Sequence, residues 1–396
     1  MSDTVIRGYK FRIYPTEEQR KTIDRYIEIF REVYNWGLNK EEEYRQSQKE
    51  GKSKYGFYRY YDLRKMYKKE RRENPDSIWN EMPSVSGGLA LKNVETAYLK
   101  FFKKLTRYPK PKGKTTDKSY YSFNTRYERF NIHGDSIKIE GIKTRIALKF
   151  NCGIYSDKVI NPTISRDKLN RYFVSFNLKQ KVEPLNIPIS EGIGIDLGCR
   201  QTIVLSTGEI FNQPNENLEK LDRKRRREQK RVTRDINYRK ALAAYLGVNE
   251  EDIPKSKRAL RREFNLNKTY KKIHNIKNTF YHTVSKHVVD RNPAFICMET
   301  FKVREIQRER PFMNDELVKV SFYTITQMFK YKCENVSIPF YQAPRDFAST
   351  KICSNCGNKK EMYNYRKYKC PVCGMIEDRD INAAINLRNY GYKLAI

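Results

Sequence analysis

Histidine is scarce in this chain, with four residues in 396. None of the four has a cysteine or serine arranged as a partner, which disfavours covalent catalysis by an activated nucleophile. Long hydrophobic stretches are also missing. No run reaches the about 18 apolar residues of a membrane-spanning helix, and Met1–Lys10 lacks the apolar core of a secretory signal, so a soluble, intracellular protein is expected. Negative charge is short as well: 47 Asp and Glu stand against 80 Lys and Arg, a formal charge of +33. A compact fold with that excess repels itself unless a polyanion lies alongside, and nucleic acid is the obvious one. The aromatic residues suit the same partner. Tyr (29) outnumbers Phe (20), and a tyrosine ring stacks on bases while its hydroxyl reaches phosphates. The length excludes a small stapled scaffold and allows one large core or two to three smaller ones.

The chain opens with alternation, Val5, Arg7, Tyr9, Phe11 and Ile13 sharing one face of a strand that Pro15 ends. Thr16-Glu-Glu-Gln19 reads as a capping box before an apolar stripe at helical spacing, Ile23, Ile27, Phe30, Tyr34 and Leu38. Helical pattern continues through Asp62–Arg72 and Gly88–Leu105, and Tyr108–Lys114, with two prolines, is a basic loop. From Tyr120 to Val182 the pattern becomes short alternating segments: Ser136–Glu140, Arg145–Phe150, Val159–Arg166 and Arg171–Lys179, the last two forming a hairpin. With the opening strand these predict a small β-barrel interrupted by a helical insertion. Beyond Pro184 and Pro188 the order changes to strand (Gly192–Leu197), strand (Gln201–Ser206), basic helices (Leu218–Lys240 and Lys255–Lys277), helix (Thr279–Val289) and strand (Ala294–Met298), which is α/β. Arg and Lys on several faces of those helices suit a phosphate backbone.

Three carboxylate positions carry the chemistry. Asp196 sits inside an apolar strand that runs into glycine, where an unpaired carboxylate is costly unless a cation or donor compensates it. Glu299 ends a second apolar strand; read alone, it is equally an edge residue facing water. In Glu377-Asp-Arg-Asp380 an acidic cluster opens a short helix, where either aspartate could serve as a cap. Carboxylates on two strand ends and one helix start are the hard oxygen ligands that a pair of Mg²⁺ ions requires. The most specific local signal is cysteine. Cys353-Ser-Asn-Cys356-Gly and Cys370-Pro-Val-Cys373-Gly are two CxxCG knuckles with 13 residues between them, the spacing of a closed, structural Zn²⁺ site. Cys152, Cys199, Cys297 and Cys333 lie scattered in apolar surroundings, as reduced core thiols do. The basic, Tyr-rich span Asn358–Lys369 between the knuckles suggests that this module also touches nucleic acid.

Gly194-Ile-Asp-Leu-Gly198, Cys-Met-Glu299, the two knuckles and Asp378-Arg-Asp-Ile-Asn-Ala-Ala-Ile-Asn386, in that order, resemble the TnpB proteins of insertion sequences, themselves similar to type V CRISPR effectors. Tyr9–Gln19, Tyr108–Lys112 and Thr163–Phe176 also look like that family's N-terminal half. The resemblance implies an RNA-guided DNA endonuclease with an RNase H-like (RuvC) α/β nuclease domain and an inserted zinc ribbon. It also implies an N-terminal β-barrel wedge domain carrying a helical recognition lobe. The implied limits are wedge 1–15 and 119–190, recognition lobe 16–118, RuvC-like domain 191–349 and 377–396, and zinc ribbon 350–376. Asp196, Glu299 and Asp380 would be the catalytic, Mg²⁺-holding carboxylates, with Asp378 an alternative third ligand, and Cys353, Cys356, Cys370 and Cys373 would hold Zn²⁺. A guide RNA and double-stranded target DNA are the implied partners, in a monomeric ribonucleoprotein of the prokaryotic cytoplasm with no membrane association. Guide pairing would read sequence while the protein reads a short adjacent motif. A CRISPR effector or a catalytically silent guided repressor are the rival readings; the latter would have lost the carboxylates.

Overall fold

A computed structural model describes residues 4–49, 57–113, 119–122, 130–149, 153–156, 159–181, 190–199, 201–300, 320–361 and 366–395. Two compact units emerge, Ile6–Gln180 and Lys181–Ile396 with Met1–Val5. Cys152 lies outside the described residues, as do parts of the Tyr120–Val182 and Asn358–Lys369 spans.

In the first unit, strand β1 (Thr4–Tyr14) shows the expected alternation, with Val5, Arg7, Tyr9, Phe11 and Ile13 half-buried or buried and Ile6, Gly8, Lys10, Arg12 and Tyr14 exposed. Pro15 stops pairing, and the capping box forms: Thr16 N–H donates to Gln19 Oε1 at 2.9 Å and Gln19 N–H donates to Thr16 Oγ1 at 3.3 Å. Helix α1 (Glu17–Lys49) then buries Ile23, Ile27, Phe30, Tyr34 and Leu38. They share one core with α2 (Tyr60–Glu73) and α3 (Ser84–Phe102), which contribute Leu63, Tyr67, Leu91 and Val94. The short strands are β2 (Ser119–Ser122), β3 (Asn131–His133), β4 (Ser136–Lys138), β5 (Ile146–Leu148), β6 (Tyr155–Ser156), β7 (Ile160–Arg166) and β8 (Tyr172–Lys181). With β1 they make one sheet in the order β2-β7-β8-β1-β5-β4-β3-β6. The hairpin β7–β8 is present. Closing this sheet into the expected barrel requires β2 to pair with β6, and no such pairing occurs among the described residues.

The second unit is built on a mixed sheet of β9 (Ile193–Leu197), β10 (Ile203–Leu205), β11 (Ile210–Phe211), β12 (Ile296–Glu299) and β13 (Phe340–Ala343), ordered β11-β10-β9-β12-β13. The β9–β10–β11 pairings are antiparallel, whereas β12 runs parallel to both β9 and β13. Between β11 and β12 the chain makes two long helices, α4 (Asn215–Leu246) and α5 (Lys257–Val289), with the left-handed Gly247 ending the first. The two helical segments expected at Lys255–Lys277 and Thr279–Val289 are one continuous helix, since nothing between them breaks it. Helix α6 (Phe322–Asn335) and the end of α5 bury Tyr281, Val284, Val288, Phe322, Ile325 and Phe329 in a core with Ile193, Ile195 and Leu197. Side chains alternate along a strand, so Gly194 and Asp196 turn the other way, toward α7 (Arg379–Ala395). The approach there is close: a Cβ on Gly194 would lie 1.9 Å from the Ala384 carbonyl oxygen and 2.4 Å from the Arg388 nitrogen. No helix among the described residues is long and apolar enough to cross a membrane.

Candidate active site and metal centre

Asp196 lies on the central strand β9, opposite Val204 of β10. On the other side Ile195 pairs with Met298 of β12. One step further along this parallel register, Glu299 comes level with Asp196. Glu299 is therefore flanked by β9 and β13, not on an edge facing water. Asp380 stands in the first turn of α7, the helix packed over β9, and both aspartates are only 6% exposed. Asp196 feels the other two carboxylates. Burial, then repulsion from Asp380 and Glu299, pushes the Asp196 carboxyl up to about 8, against an opposing pull from Arg379. Burial pushes Glu299 up to about 7. Such a group of buried and half-buried carboxylates offers the hard oxygen donors that suit divalent cations.

Asp378 does different work. Its Oδ1 accepts from the backbone N–H of Asp380 at 2.9 Å and of Ile381 at 3.4 Å, while Oδ2 accepts from Arg366 Nε at 3.0 Å. It thus caps α7, whereas the Asp380 carboxylate is near enough to Asp196 to repel it. Arg379 Nε and Nη2 donate to Asp380 Oδ1 at 3.0 and 2.9 Å, and Arg366 Nη1 stands 3.8 Å from Oδ2.

The four knuckle cysteines bring their sulfurs within 4.8 Å of one another. Cys353 to Cys373 is 3.6 Å and Cys356 to Cys370 is 3.5 Å, close to the about 3.8 Å edge of a tetrahedron with Zn–S bonds near 2.3 Å. The knuckles are near copies. Gly357 and Gly374 both take a left-handed φ, 75° and 72°, and donate back to the carbonyls of Cys353 and Cys370. That turn is the reason each CxxC is followed by glycine. Strands β14 (Lys367–Lys369) and β15 (Ile376–Asp378) pair antiparallel and run straight into α7. Tyr368, from the span expected to meet nucleic acid, is instead fully buried with Cys353 and Cys370, its hydroxyl donating to the Lys351 and Asn358 carbonyls. Of the scattered thiols, Cys297 and Cys333 are buried and pushed up to about 12, as inert core cysteines are.

A family model described as the Cas12f1-like TNB domain matches residues 322–387, and a helix-turn-helix domain model of the IS605 OrfB type matches residues 1–50. The second segment is here a strand followed by one helix, β1 and α1. A Streptomyces pristinaespiralis protein named "Putative RNA-guided DNA endonuclease" is 26% identical over 98% of this chain and 90% of its own length. The protein InsQ of Escherichia coli, of the same description, is 22% identical over 98% and 92%, and the TnpB-like protein L770 of Acanthamoeba polyphaga mimivirus 25% over 98% and 74%. This chain belongs to the TnpB family of IS605-type elements. Its fold is Cas12f-like: a Cas12f1 chain solved with guide RNA and target DNA superposes with a TM-score of 0.58 at 11% identity, covering 98% of this chain and 99% of that one. The chain of a mini RNA-guided endonuclease, CRISPR-Cas_phi3, superposes at 0.50, covering 99% and 92%.

In this TnpB-family chain the structure adds residues with no role assigned from sequence. Arg366 reaches Asp380 because β14 and β15 pair, a contact that spacing does not reveal, whereas Arg379 is the chain neighbour of Asp380. Asn382 and Asn386 are buried on one side of α7 and hydrogen-bond the first knuckle. Two buried asparagines at i and i+4 in an alanine-rich helix are a readable signal, since a buried amide needs partners.

Proposed function

We propose that the protein is an RNA-guided DNA endonuclease that hydrolyses target phosphodiesters at the Asp196–Glu299–Asp380 site. The observation that carries this reading is the arrangement of three carboxylates on two adjacent strands and the helix packed across them, with Asp196 and Asp380 buried and Glu299 half-buried. The strand order, three antiparallel strands followed by two parallel ones with an acid on the first and fourth, supports an RNase H-like assignment for this domain. Mg²⁺ is the cofactor these oxygens suit; bound there, it supplies Lewis acidity to the attacked phosphate and lowers the pKa of a hydrolytic water. The chain's own part is to hold the oxygens still. Sheet pairing positions Asp196 and Glu299, Arg379 orients Asp380, and Asp378 caps the helix that carries it.

The four-cysteine module takes structural Zn²⁺ in this reading, with no open position for substrate. Guide RNA and target DNA meet the basic surface. Helices α4 and α5 contribute to it, with Lys220, Arg223, Arg226 and Arg227 lining an open cavity on α4. The finer division into wedge (1–15, 119–190), recognition lobe (16–118), nuclease (191–349, 377–396) and ribbon (350–376) belongs to the same proposal. The test is cleavage of guide-matched DNA by the ribonucleoprotein after sequencing its co-purified RNA. Asp196→Asn, Glu299→Gln and Asp380→Asn should each abolish Mg²⁺-dependent cleavage and leave target binding intact. Undiminished cleavage in all three overturns the assignment. Target binding without cleavage in the unsubstituted protein favours a silent guided repressor.

A further inference from the structure

The metal module and the catalytic helix are joined by an unusual amount of buried hydrogen bonding. The Ile352 carbonyl, immediately before the first ligand Cys353, accepts from Asn382 Nδ2 at 2.8 Å and from Asn386 Nδ2 at 2.7 Å. Asn382 Oδ1 accepts from the Ser354 N–H, immediately after that ligand, at 2.9 Å, and Asn386 Nδ2 also donates to the Ser349 carbonyl at 2.8 Å. The backbone on both sides of Cys353 is therefore gripped by two side chains of α7. Both asparagines are buried, 0% and 4% exposed, and Asn382 lies two residues beyond Asp380. From the other side, β14 pairs with β15, and the Arg379 N–H donates to the Arg366 carbonyl at 2.8 Å, so the second half of the module also holds the start of α7.

We infer that Asn382 and Asn386 are positioning residues that couple the four-cysteine module to the placement of Asp380, so that the module is part of the catalytic geometry as well as a folding element. This rests on the carboxylate reading proposed above. The physical argument is stiffness. A helix N-terminus frays readily, because its first N–H groups lack helical partners, and Asp380 occupies that first turn. A rigid, cross-linked knuckle bonded two and six residues further along removes the rolling and sliding that would carry Asp380 away from Asp196. Such coupling is reciprocal: whatever loosens the asparagine contacts should also loosen the hold on the metal at Cys353.

The experiment uses the intact ribonucleoprotein. Asn386→Ala and Asn382→Asp are compared with Val288→Ala, a core truncation on α5 that touches neither element of the coupling. Asn382→Asp keeps volume and the acceptor for Ser354 but sets a carboxylate oxygen against the Ile352 carbonyl, and it carries the test if Asn386→Ala does not fold. The quantities read are the cleavage rate, the Mg²⁺ concentration for half-maximal cleavage, the rate of Zn²⁺ transfer to a chromogenic chelator, guide and target binding, and the melting temperature. Both asparagine variants should slow cleavage by about 10–100-fold, the usual cost of disturbing a metal site's supporting contacts. They should also raise the Mg²⁺ requirement and lose Zn²⁺ faster, with guide and target binding kept. Val288→Ala should lower the melting temperature without changing the Mg²⁺ requirement or the rate of Zn²⁺ loss. Wild-type Mg²⁺ dependence and Zn²⁺ release in the asparagine variants overturn the inference, as does an equal Mg²⁺ shift in Val288→Ala. If the unsubstituted protein does not cleave at all, the nuclease reading fails on its own, and the Zn²⁺ release rates still decide whether the clamp exists.

Discussion

Gly194→Ala perturbs the site through one methyl group, and its effect can be worked from the contact. The added Cβ would meet the Ala384 carbonyl oxygen at 1.9 Å and the Arg388 nitrogen at 2.4 Å, both backbone atoms of α7 that no rotamer change can move aside. Ordinary contact for such atoms is about 3.5 Å, so α7 must withdraw from β9 by roughly 1.5 Å. Overpacking a tight core costs about 1–3 kcal/mol, occasionally more. The helix also carries Asp380, and a 1 Å misplacement of a reacting group costs about 10²-fold in rate. Urea denaturation of the purified protein should show the loss of stability, and single-turnover cleavage of guide-matched DNA the loss of rate, with target binding retained. Gly153→Ala is the comparison: among the described residues nothing lies within 4 Å of its Cβ, so against them it carries the strain of a left-handed φ without a clash. A Gly194→Ala protein within about 0.5 kcal/mol of the parent, cutting at the parent rate, would show that α7 does not set the geometry of the site.

Glu41 is 3% exposed, its Oε2 accepts the Tyr58 N–H at 3.0 Å, and its Oε1 has no partner among the described residues; burial pushes it up to about 7. Stability tied to its protonation is fully present below the unfolded carboxyl range and is lost as pH rises through about 7. Glu41→Gln should therefore raise stability at pH 8 by about 1–3 kcal/mol with no gain at pH 4, read from melts at both; equal effects at the two pH values would refute the assignment. Cys353→Ser should cost thermal stability and Zn²⁺ stoichiometry, because a closed Cys₄ site contributes folding energy. A variant that melts like the parent while holding a full equivalent of Zn²⁺ would remove Cys353 from the ligand set. Asp378→Asn, which keeps a capping oxygen, should retain cleavage, and Asp378→Ala should lose about 0.5–2 kcal/mol in a denaturant melt. An inactive Asp378→Asn beside an active Asp380→Asn would move the third ligand two residues upstream.

Features that depend on neighbours in sequence were legible from it. The β1 alternation, the Thr16–Gln19 box and the two knuckles each arise from geometry spanning a few residues, so residue type and spacing suffice. The knuckles are the clearest case, since two thiolates two residues apart followed by a glycine able to take positive φ define the turn wherever it sits. The mixed α/β character of the chain was legible for a related reason, because apolar period separates strand from helix, but whether the first sheet closes into a barrel was not. Tertiary structure decided everything that depends on which segments lie side by side. Read alone, Glu299 was equally a solvent-facing edge residue; only the placing of β12 between β9 and β13 sets it level with Asp196. Asp378 and Asp380 were interchangeable as caps until the helix start showed that Asp378 accepts the backbone N–H groups while Asp380 is buried and repels Asp196. The buried grips of Asn382 and Asn386 on the first knuckle, and the exposed one of Arg366 on Asp378, join segments remote in sequence. A linear pattern records only that such side chains can bond; the partner is chosen when packing removes water and leaves each buried polar group a single place to pair.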